Sequence, residues 1–510
     1  MAEMNLTTEE KSQMQRLSGD TVITHEVSEE FNLPDYVPEI RKLLHVRTGA
    51  LPESRYVSDE GEGTGVELGG TVTYTLIYTD DEGNLCSLPL TSTYEARATL
   101  SGRPSAVFVD TCVDTVSPRL SAPRRITLKT KMKSRIQGWE NCEEKERIEN
   151  KSAADELFME RQSVDVKSLV IKQLSLSGVK MSDRLDTSGM QDVRPLWCDA
   201  TAVISDARAQ GNSVSVRGEA TVRCVCMSDG EEVTLTKSMP IAEEIEAQGA
   251  SQGDMARVIS RPVSLSVSSE QNGERAELFF DLTCDLEGEV LKNTSVTLTR
   301  DCYSTRHETT EEYKAVDTYT AIRAQNCSFT VSEGVKRKGK EITKIIDALC
   351  DPVYEKTEIK GSRANILGKL CLTLIGSSQG DNEITYLSES YEVPFKYSLD
   401  LGTSKEPIVR CEPAVGSVSA RLDGEKLQIN AEVYLALEMI DRERAEIMSL
   451  CTLKKDKEIK KDAGCVRVYF PKSGDTLWEI AKKYHVSVDS IREQNLMDGK
   501  DISQVASLII

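Results

Sequence analysis

The sequence predicts a mainly β protein of three tandem β-rich units, followed by a small α+β module at the C-terminus. Three observations support this prediction. A glycine-centred apolar strand recurs at a near-constant offset, because Gly70, Gly218 and Gly368 are separated by 148 and 150 residues. Turn-forming residues follow these strands, and after residue 470 the hydrophobic period changes to that of a helix.

The repeated strand is long in each copy and covers residues 66–78, 214–226 and 365–375. A glycine inside a strand commonly marks a bulge or the close approach of another backbone, because it has no side chain. We therefore expect each of the three glycines to face a neighbouring strand at short range.

The segments around the repeated strand follow the same period. Apolar runs that begin at Thr21, Leu169 and Tyr319 precede it. Acidic turns at 80–84 and 229–231 predict hairpins after it. Further strands are predicted around residues 125–136, 273–286 and 424–439, with Gly273 and Gly424 lying 151 residues apart, and short helices are predicted at 37–44 and 341–346.

Polar segments at 140–161 and 304–313 are predicted to connect the units. A charged segment from Lys454 to Gly464 is predicted to be a linker that lets the last module move independently. The predicted division is an N-terminal tail at 1–19, β units at 20–155, 160–303 and 314–452, a linker at 453–464 and the C-terminal module at 465–510.

Composition and charge exclude several classes of protein. Hydrophobic residues make up 39% of the 510 residues and charged residues 29%, as in folded proteins. The formal net charge of -20 repels phosphate backbones, so nucleic-acid binding is not expected. The sequence contains no run of roughly 20 apolar residues, the length of a transmembrane helix.

The N-terminal segment Met1–Lys11 has neither the basic head nor the apolar core of a secretory signal, so we expect the protein in the cytoplasm. The sequence has 14 scattered cysteines. Reduced cysteines that act as small hydrophobic residues are therefore expected, and a disulfide framework is the alternative. Cys224 and Cys226 are predicted on one strand face.

The sequence does not predict an enzyme, a metal site or a cofactor. None of the four histidines, His25, His45, His307 and His485, has metal-ligand spacing to another ligand. The glycine-rich segment 61–65 lacks the lysine of a phosphate-binding loop and leads into a strand. Hydrolysis in the β units would be a third possible function, but no set of residues supports it.

The C-terminal module is predicted to have the order strand, helix, helix, strand. Gly474 allows a tight turn, and Asp475 is expected to accept hydrogen bonds from the first N–H groups of a helix. Ser487 is expected to cap a second helix that ends at Asn495. One apolar face of the two helices consists of Leu477, Ile480, Ala481, Tyr484, Val488 and Ile491.

This module resembles the LysM family through the run 473–478, the spacing from Ile480 to Tyr484, and residues 486–488, 495–496 and 502. The resemblance implies a two-stranded antiparallel sheet with two helices on one face. It also implies a groove that binds glycans containing N-acetylglucosamine, such as peptidoglycan. Gln504-Val505-Ala506 stands where the family usually has Pro-Gly-Gln, on one wall of that groove.

The resemblance places the candidate binding residues on the turn and first helix and on the loops opposite. Trp478 is expected either in the module core or on a contact surface. The predicted site consists of Gly474, Asp475, Thr476, Leu477, Trp478, Asn495, Leu496 and Ile502.

The β units resemble the SPOCS domain of spore morphogenetic proteins, through residues 33–35, 38–40 and 44 and the strand from Gly70 to Tyr78. SPOCS-like units followed by LysM are similar to the SipL family of spore coat and cortex morphogenesis proteins. This resemblance implies a location on the mother-cell side of the developing spore surface. It also implies a protein partner, the spore-coat morphogenetic ATPase SpoIVA or an equivalent protein.

Two functions therefore remain open. The first is a non-catalytic scaffold in spore envelope assembly that docks on a protein through its LysM-like module. The second is a wall or cortex protein that binds peptidoglycan through backbone N–H and C=O groups near Gly474–Leu477.

Overall fold

The structure, a computed structural model, describes residues 6–510 apart from residues 60, 62, 188, 191–192, 273–274, 340, 380–383, 403, 405–406, 461–465, 498–501 and 503–504. It is mainly β, with 79% strand, as predicted. Its first eighteen described strands form three successive runs of six, which we call units 1, 2 and 3. The predicted domain boundaries themselves stay a prediction.

Unit 1 contains β1 (Leu6–Asn32), β2 (Lys42–Asp59), β3 (Gly63–Thr79), β4 (Leu85–Ser101), β5 (Ala106–Ala122) and β6 (Arg125–Lys151). A 3-10 helix, Ala153–Phe158, leads to unit 2, which contains β7 (Met159–Asp186), β8 (Arg194–Gln210), β9 (Ser213–Ser228), β10 (Glu231–Glu246), β11 (Met255–Asn272) and β12 (Arg275–Ser304). Unit 3 contains β13 (His307–Lys336), β14 (Lys344–Lys360), β15 (Arg363–Gln379), β16 (Ile384–Asp400), β17 (Ile408–Asp423) and β18 (Lys426–Glu458).

Each unit consists of two three-stranded antiparallel arrangements. The second, third and fourth strands form a meander, as in β2-β3-β4, and the sixth strand lies between the first and the fifth, as in β1-β6-β5. Alternate side chains of the two arrangements pack together: Tyr74 and Leu76 of β3 share a core with Ile126 and Leu128 of β6.

The expected close approach at the three repeated glycines is confirmed. A Cβ added at Gly70, Gly218 or Gly368 would lie 2.2, 2.2 or 2.4 Å from a carbonyl oxygen of the neighbouring strand. The pairing of that strand shifts by one residue beside each glycine, as at Pro52/Ser54 opposite Gly70. The repeated glycine therefore accommodates a bulge in the preceding strand.

The two predicted short helices are wrong. Residues 38–40 and 341–343 lack regular structure, and strands begin at Lys42 and Lys344. The backbone N–H groups of Ile40 and Arg41 donate to Pro123 and Thr79 at 2.9 Å, so their partners are distant strands instead of a helical turn. Tertiary hydrogen bonds override the local apolar spacing here.

Most of the described residues in the predicted tail and connectors, and the first part of the linker, are strand. β1 begins at Leu6, inside the predicted tail 1–19, and residues 140–151 and 307–313 continue long strands. β18 runs to Glu458, into the predicted linker, of which residues 461–464 lie outside the described residues. These segments look like linkers in sequence because one strand face is charged, while alternate residues such as Ile148 are buried.

The three units share a core along the outer halves of their first and last strands. Met14 of β1, Val166 and Leu298 of unit 2, and Val316 and Ile447 of unit 3 form one apolar cluster. Farther along, residues 450–452 of β18 pair in parallel with residues 147–149 of β6. Backbone hydrogen bonds therefore join units 1 and 3 directly.

The three meanders also meet, at Leu44 of unit 1, Trp197 of unit 2 and Ile346 of unit 3. Trp197 Nε1 donates to the carboxylate of Asp347 at 2.9 Å, and Arg223 pairs with the same carboxylate at 2.7 Å. Polar and apolar contacts therefore join the units at this second junction.

The C-terminal module has the predicted order of elements. It contains β19 (Val468–Tyr469), α1 (Leu477–Tyr484), α2 (Val488–Gln494) and β20 (Leu508–Ile509), with β19 and β20 antiparallel. Ile480, Ala481 and Ile491 are buried at its centre, as the helical spacing predicted, together with Leu508 of β20.

The thirteen described cysteines are free thiols, and many are buried in strand cores. Cys224 and Cys226 lie on one face of β9, as predicted, with their sulfur atoms 3.5 Å apart. Among the described residues, no helix is long and apolar enough to cross a membrane.

The close approach at the repeated glycine can be tested with Gly218→Ala. We expect the free energy of unfolding to fall by about 1–3 kcal/mol, because the new methyl group would meet backbone atoms that cannot move independently. Gly334→Ala is the control, since its Cβ would meet only the end of the flexible Gln428 side chain. Equal losses of stability in chemical denaturation would contradict the prediction.

Candidate binding site

The turn before α1 is held by the side chain of Asp475. Its carboxylate accepts hydrogen bonds from Lys472 N at 2.7 Å and from the Tyr469 hydroxyl at 2.8 Å. These bonds lower the pKa of Asp475. Gly474 has a φ of +96°, which favours glycine at this position.

Asp475 is not the helix cap that the sequence suggested. Thr476 is the N-cap residue, and its hydroxyl accepts a hydrogen bond from Glu479 N at 3.2 Å. The Glu479 carboxylate accepts from Thr476 N at 3.1 Å, which completes a capping box. The spacing of Thr476 and Glu479 is the sequence signal that would have identified this cap.

The second helix begins and ends as predicted. Ser487 Oγ accepts a hydrogen bond from Ser490 N, and Asn495 is the C-cap residue. The Asn495 amide also exchanges two hydrogen bonds of 2.7 Å with the backbone of Ile509, and donates to Ile491 O at 2.8 Å. Asn495 therefore joins α2 to β20.

The predicted site residues fall into three structural groups. Leu477 and Ile502 pack against the module core, and Asp475 and Asn495 make the internal hydrogen bonds just described. Trp478 contacts the β body. The remaining three are exposed and available to a ligand: Gly474, Thr476 and Leu496, which is 80% exposed.

One face of α1 lies against the end of β12. Trp478 and Lys482 are one turn apart, and both reach Asp301: Trp478 Nε1 donates to its carboxylate at 2.7 Å, and Lys482 Nζ lies 2.7 Å from the other carboxylate oxygen. The rings of Trp478 and Tyr303 meet edge to face with centroids 5.0 Å apart. Trp478 is therefore a contact residue between module and body.

The turn between α1 and α2 makes further contacts with the same strand. His485, which ends α1 at a φ of +53°, has Nδ1 3.3 Å from Ser304 O. The buried Tyr303 hydroxyl donates to Val486 O at 2.7 Å. Lys482 also lies 3.6 Å from Glu311. The module is thus docked on the body, in contrast to the independent motion predicted from the linker.

The carboxyl group of Asp301 and the amine of Lys482 are both ionised at neutral pH. Burial raises the pKa of Asp301, but hydrogen bonds from Lys482 and Trp478 outweigh burial and leave its pKa below the usual value. Burial lowers the pKa of Lys482, but Asp301 and Glu311 outweigh this effect and raise it. Sequence reasoning missed Asp301 and Tyr303 because they lie far from Trp478 in the chain.

No group of described residues has the composition and geometry of a metal site.

The docking contact can be tested with Trp478→Phe and Lys482→Met. Each variant removes one hydrogen bond to Asp301, and we expect the docking free energy to fall by about 1.5–3 kcal/mol because the acceptor is charged. The readout is the rate of limited proteolysis between the body and the module, which should rise. Arg492→Met is the control, because Arg492 is exposed and pairs only weakly with Asp489 inside the module; an equal rise in this variant would contradict the prediction.

The internal role of Asn495 gives a separate prediction. Asn495→Ala should destabilise the module by about 1–3 kcal/mol, because the backbone groups of Ile509 lose their partners. Hydrogen exchange should accelerate in β20 and α2. Leu496→Ala is the neighbouring control and should leave exchange unchanged; protection that survives in Asn495→Ala would exclude the structural role.

When the chain is compared with known proteins, the match found lies in this C-terminal module. No curated protein and no solved structure matches the chain. The family model of the LysM domain matches residues 472–504. LysM is a binding module and not a catalytic one. Residues 472–504 therefore form a LysM domain at the end of a three-unit β body.

Proposed function

We propose that this chain is a non-catalytic scaffold whose β body holds a LysM domain in a fixed orientation for a binding partner. The observation that carries the proposal is the docking of α1 on β12 through Trp478, Lys482 and Tyr303. A domain held in this way loses little orientational freedom when it binds.

The contacts with the body leave three of the predicted site residues exposed. These contacts come from one face of α1, from the turn between the helices and from the backbone of Val488, which bonds to Glu160. Gly474 and Thr476 precede α1, Leu496 follows α2, and all three are exposed. Their exposure supports binding while the domain stays attached to the body.

The exposed surface of the domain favours a protein partner. Leu496, Phe470, Val468 and Ile509 are large apolar side chains that are 80%, 69%, 53% and 43% exposed. Apolar exposure of this kind is typical of protein contacts. The resemblance to SPOCS and SipL proteins suggests the partner SpoIVA or an equivalent coat protein, and a role in spore coat and cortex assembly on the mother-cell side.

Peptidoglycan is the second candidate ligand, because the LysM domain itself suggests glycan binding. The exposed turn around Gly474 offers backbone groups to N-acetyl substituents. This candidate uses the same groove, so the two ligands can be compared with one set of variants.

The test is a titration of the full chain with a SpoIVA-type protein and, separately, with muropeptides and chitin oligomers. Leu496→Asp should weaken binding of the protein partner at least tenfold, because it places a charge in an apolar contact. Leu157→Asp is the matched control, since Leu157 is 88% exposed in the connection between units 1 and 2.

Saturable sugar binding that Leu496→Asp abolishes, without binding of the protein, would replace the first candidate by the second. Binding of the protein that both variants weaken equally would contradict the use of the groove.

A further inference from the structure

A buried cluster of charged residues lies where the three units meet. Arg257 of β11 and Glu289 of β12 pair within unit 2, and Arg410 of β17 pairs with both Glu289 and Glu438 of β18, the latter at 3.3 Å. These four side chains are no more than 4% exposed. Glu412 of β17 lies 3.3 Å from Arg257 and joins the cluster from unit 3.

Unit 1 contributes different residues at the equivalent places. Phe108 of unit 1 is equivalent in position to Arg257 and Arg410. All three are the third residue of the fifth strand of their unit. The guanidinium of Arg410 lies 4.6 Å from the Phe108 ring centroid. Phe108 therefore supplies no cation, and Asp110 of unit 1 adds a carboxyl group opposite Glu412. The cross-strand neighbour of Asp110, Arg135, pairs with Asp20 at 2.7 Å.

The cluster contains more carboxyl groups than it can hold ionised. Two guanidinium groups, Arg257 and Arg410, face four carboxyl groups, and burying an unpaired charge is costly. The neighbouring Arg261 lies 3.5 Å from Glu412, but it also pairs with Glu287 at 3.8 Å. The four carboxyl groups in question belong to Asp110, Glu289, Glu412 and Glu438.

The surroundings of the four carboxyl groups favour protonation of one member of each facing pair. Burial raises the pKa of Glu438 to about 7, and burial and the facing Glu412 raise the pKa of Asp110 to about 7. Burial also raises the pKa of Glu412, but Asp110 and the nearby arginines outweigh it and leave a pKa of about 2. Arg257 and Arg410 likewise outweigh burial at Glu289 and lower its pKa.

Both carboxyl groups with a raised pKa face a carboxyl group of another unit. Asp110 of unit 1 lies within hydrogen-bonding reach of Glu412 of unit 3, and Glu438 of unit 3 lies within reach of Glu289 of unit 2. A cavity of about 360 Å³ adjoins the cluster and is lined by Asp110, Arg410 and Glu412. Water can therefore reach Asp110, which is only half-buried.

We propose that Asp110 and Glu438 form a proton-dependent lock that joins unit 3 to units 1 and 2. With both carboxyl groups protonated, each donates a hydrogen bond to an ionised carboxylate of another unit. Loss of the two protons places like charges in contact across both interfaces, and the junction loosens. The charged or titratable groups around the two carboxyls are Asp20, Cys112, Arg135, Arg257, Arg261, Glu287, Glu289, Arg410, Cys411 and Glu412.

The direction of the pH dependence follows from the excess of protons in the folded state. Between the usual carboxyl pKa near 4 and about 7, the folded protein holds about two protons that the unfolded chain has released. Its stability therefore falls as the pH rises through this range, and the fall ends above about pH 7. Glu289 and Glu412 have lowered folded pKa values, so they are ionised in both states above about pH 6 and contribute no slope there.

The experiment compares the full chain with Glu438→Gln and with Asp110→Asn by calorimetry at pH 6, in buffers of different ionisation enthalpy. Unfolding of the unaltered protein should release about two protons from these sites. Each variant should release about one proton fewer, and its melting temperature should depend less on pH between 5 and 7. Asp35→Asn, which alters an exposed carboxyl in a loop of unit 1, should behave like the unaltered protein.

Infrared spectroscopy tests the folded state directly, whether or not unfolding is reversible. A carbonyl band of protonated carboxyl groups should be present at pH 6, disappear by about pH 8, and weaken in Glu438→Gln. The proposal is overturned if the folded protein lacks this band at pH 6, or if the two variants release as many protons as the control.

Discussion

The last strand of each unit pairs with strands of its own unit and also packs against the other two units. The assembly of the three units depends on this double role. β6, β12 and β18 pair with the first strand of their unit along most of their length, but with the fifth strand only as far as Trp139, Leu291 and Ile440. Beyond these residues each unit continues as a two-stranded antiparallel ribbon made of its first and last strands. Such a ribbon is marginally stable alone, so it must bury its apolar face against the other two.

The residues at this transition belong to one shared apolar cluster. Trp139, Leu291 and Ile440 pack together with Tyr319, whose ring centroid lies 5.1 Å from that of Trp139. Glu289 precedes Leu291 on β12 by two residues, and Glu438 precedes Ile440 on β18 by two residues. The charged cluster therefore lies next to the start of the shared core. Buried ionic groups add little net stability, but they penalise a wrong register strongly. We infer that the charged cluster aligns the three units, while the apolar contacts supply most of the stability.

Much of the fold follows from local patterns in the sequence. The three glycines correctly indicate a bulge in the strand opposite each of them, because the close approach requires a residue without a side chain. The capping box at Thr476 and Glu479 is equally local, although the sequence also offers Asp475 as a cap. In contrast, the outer parts of the first and last strands resemble a tail and connectors in sequence, since a strand with one charged face has the composition of a linker. The docking of Trp478 on Asp301 and Tyr303 could not be predicted, because no local pattern identifies partners 177 and 175 residues away.

The position of the LysM domain depends on the same paired first and last strands. Asp301 and Tyr303 lie at the far end of β12, and this end is held in place by the shared core and by the pairing of β6 with β18. Because Trp478 and Lys482 contact that end, the orientation of the LysM domain is coupled to the packing of all three units. A loosened junction would therefore change the orientation of the proposed groove without altering any residue in it. In our proposal the body helps to orient the binding surface, which a flexibly tethered LysM domain would lack.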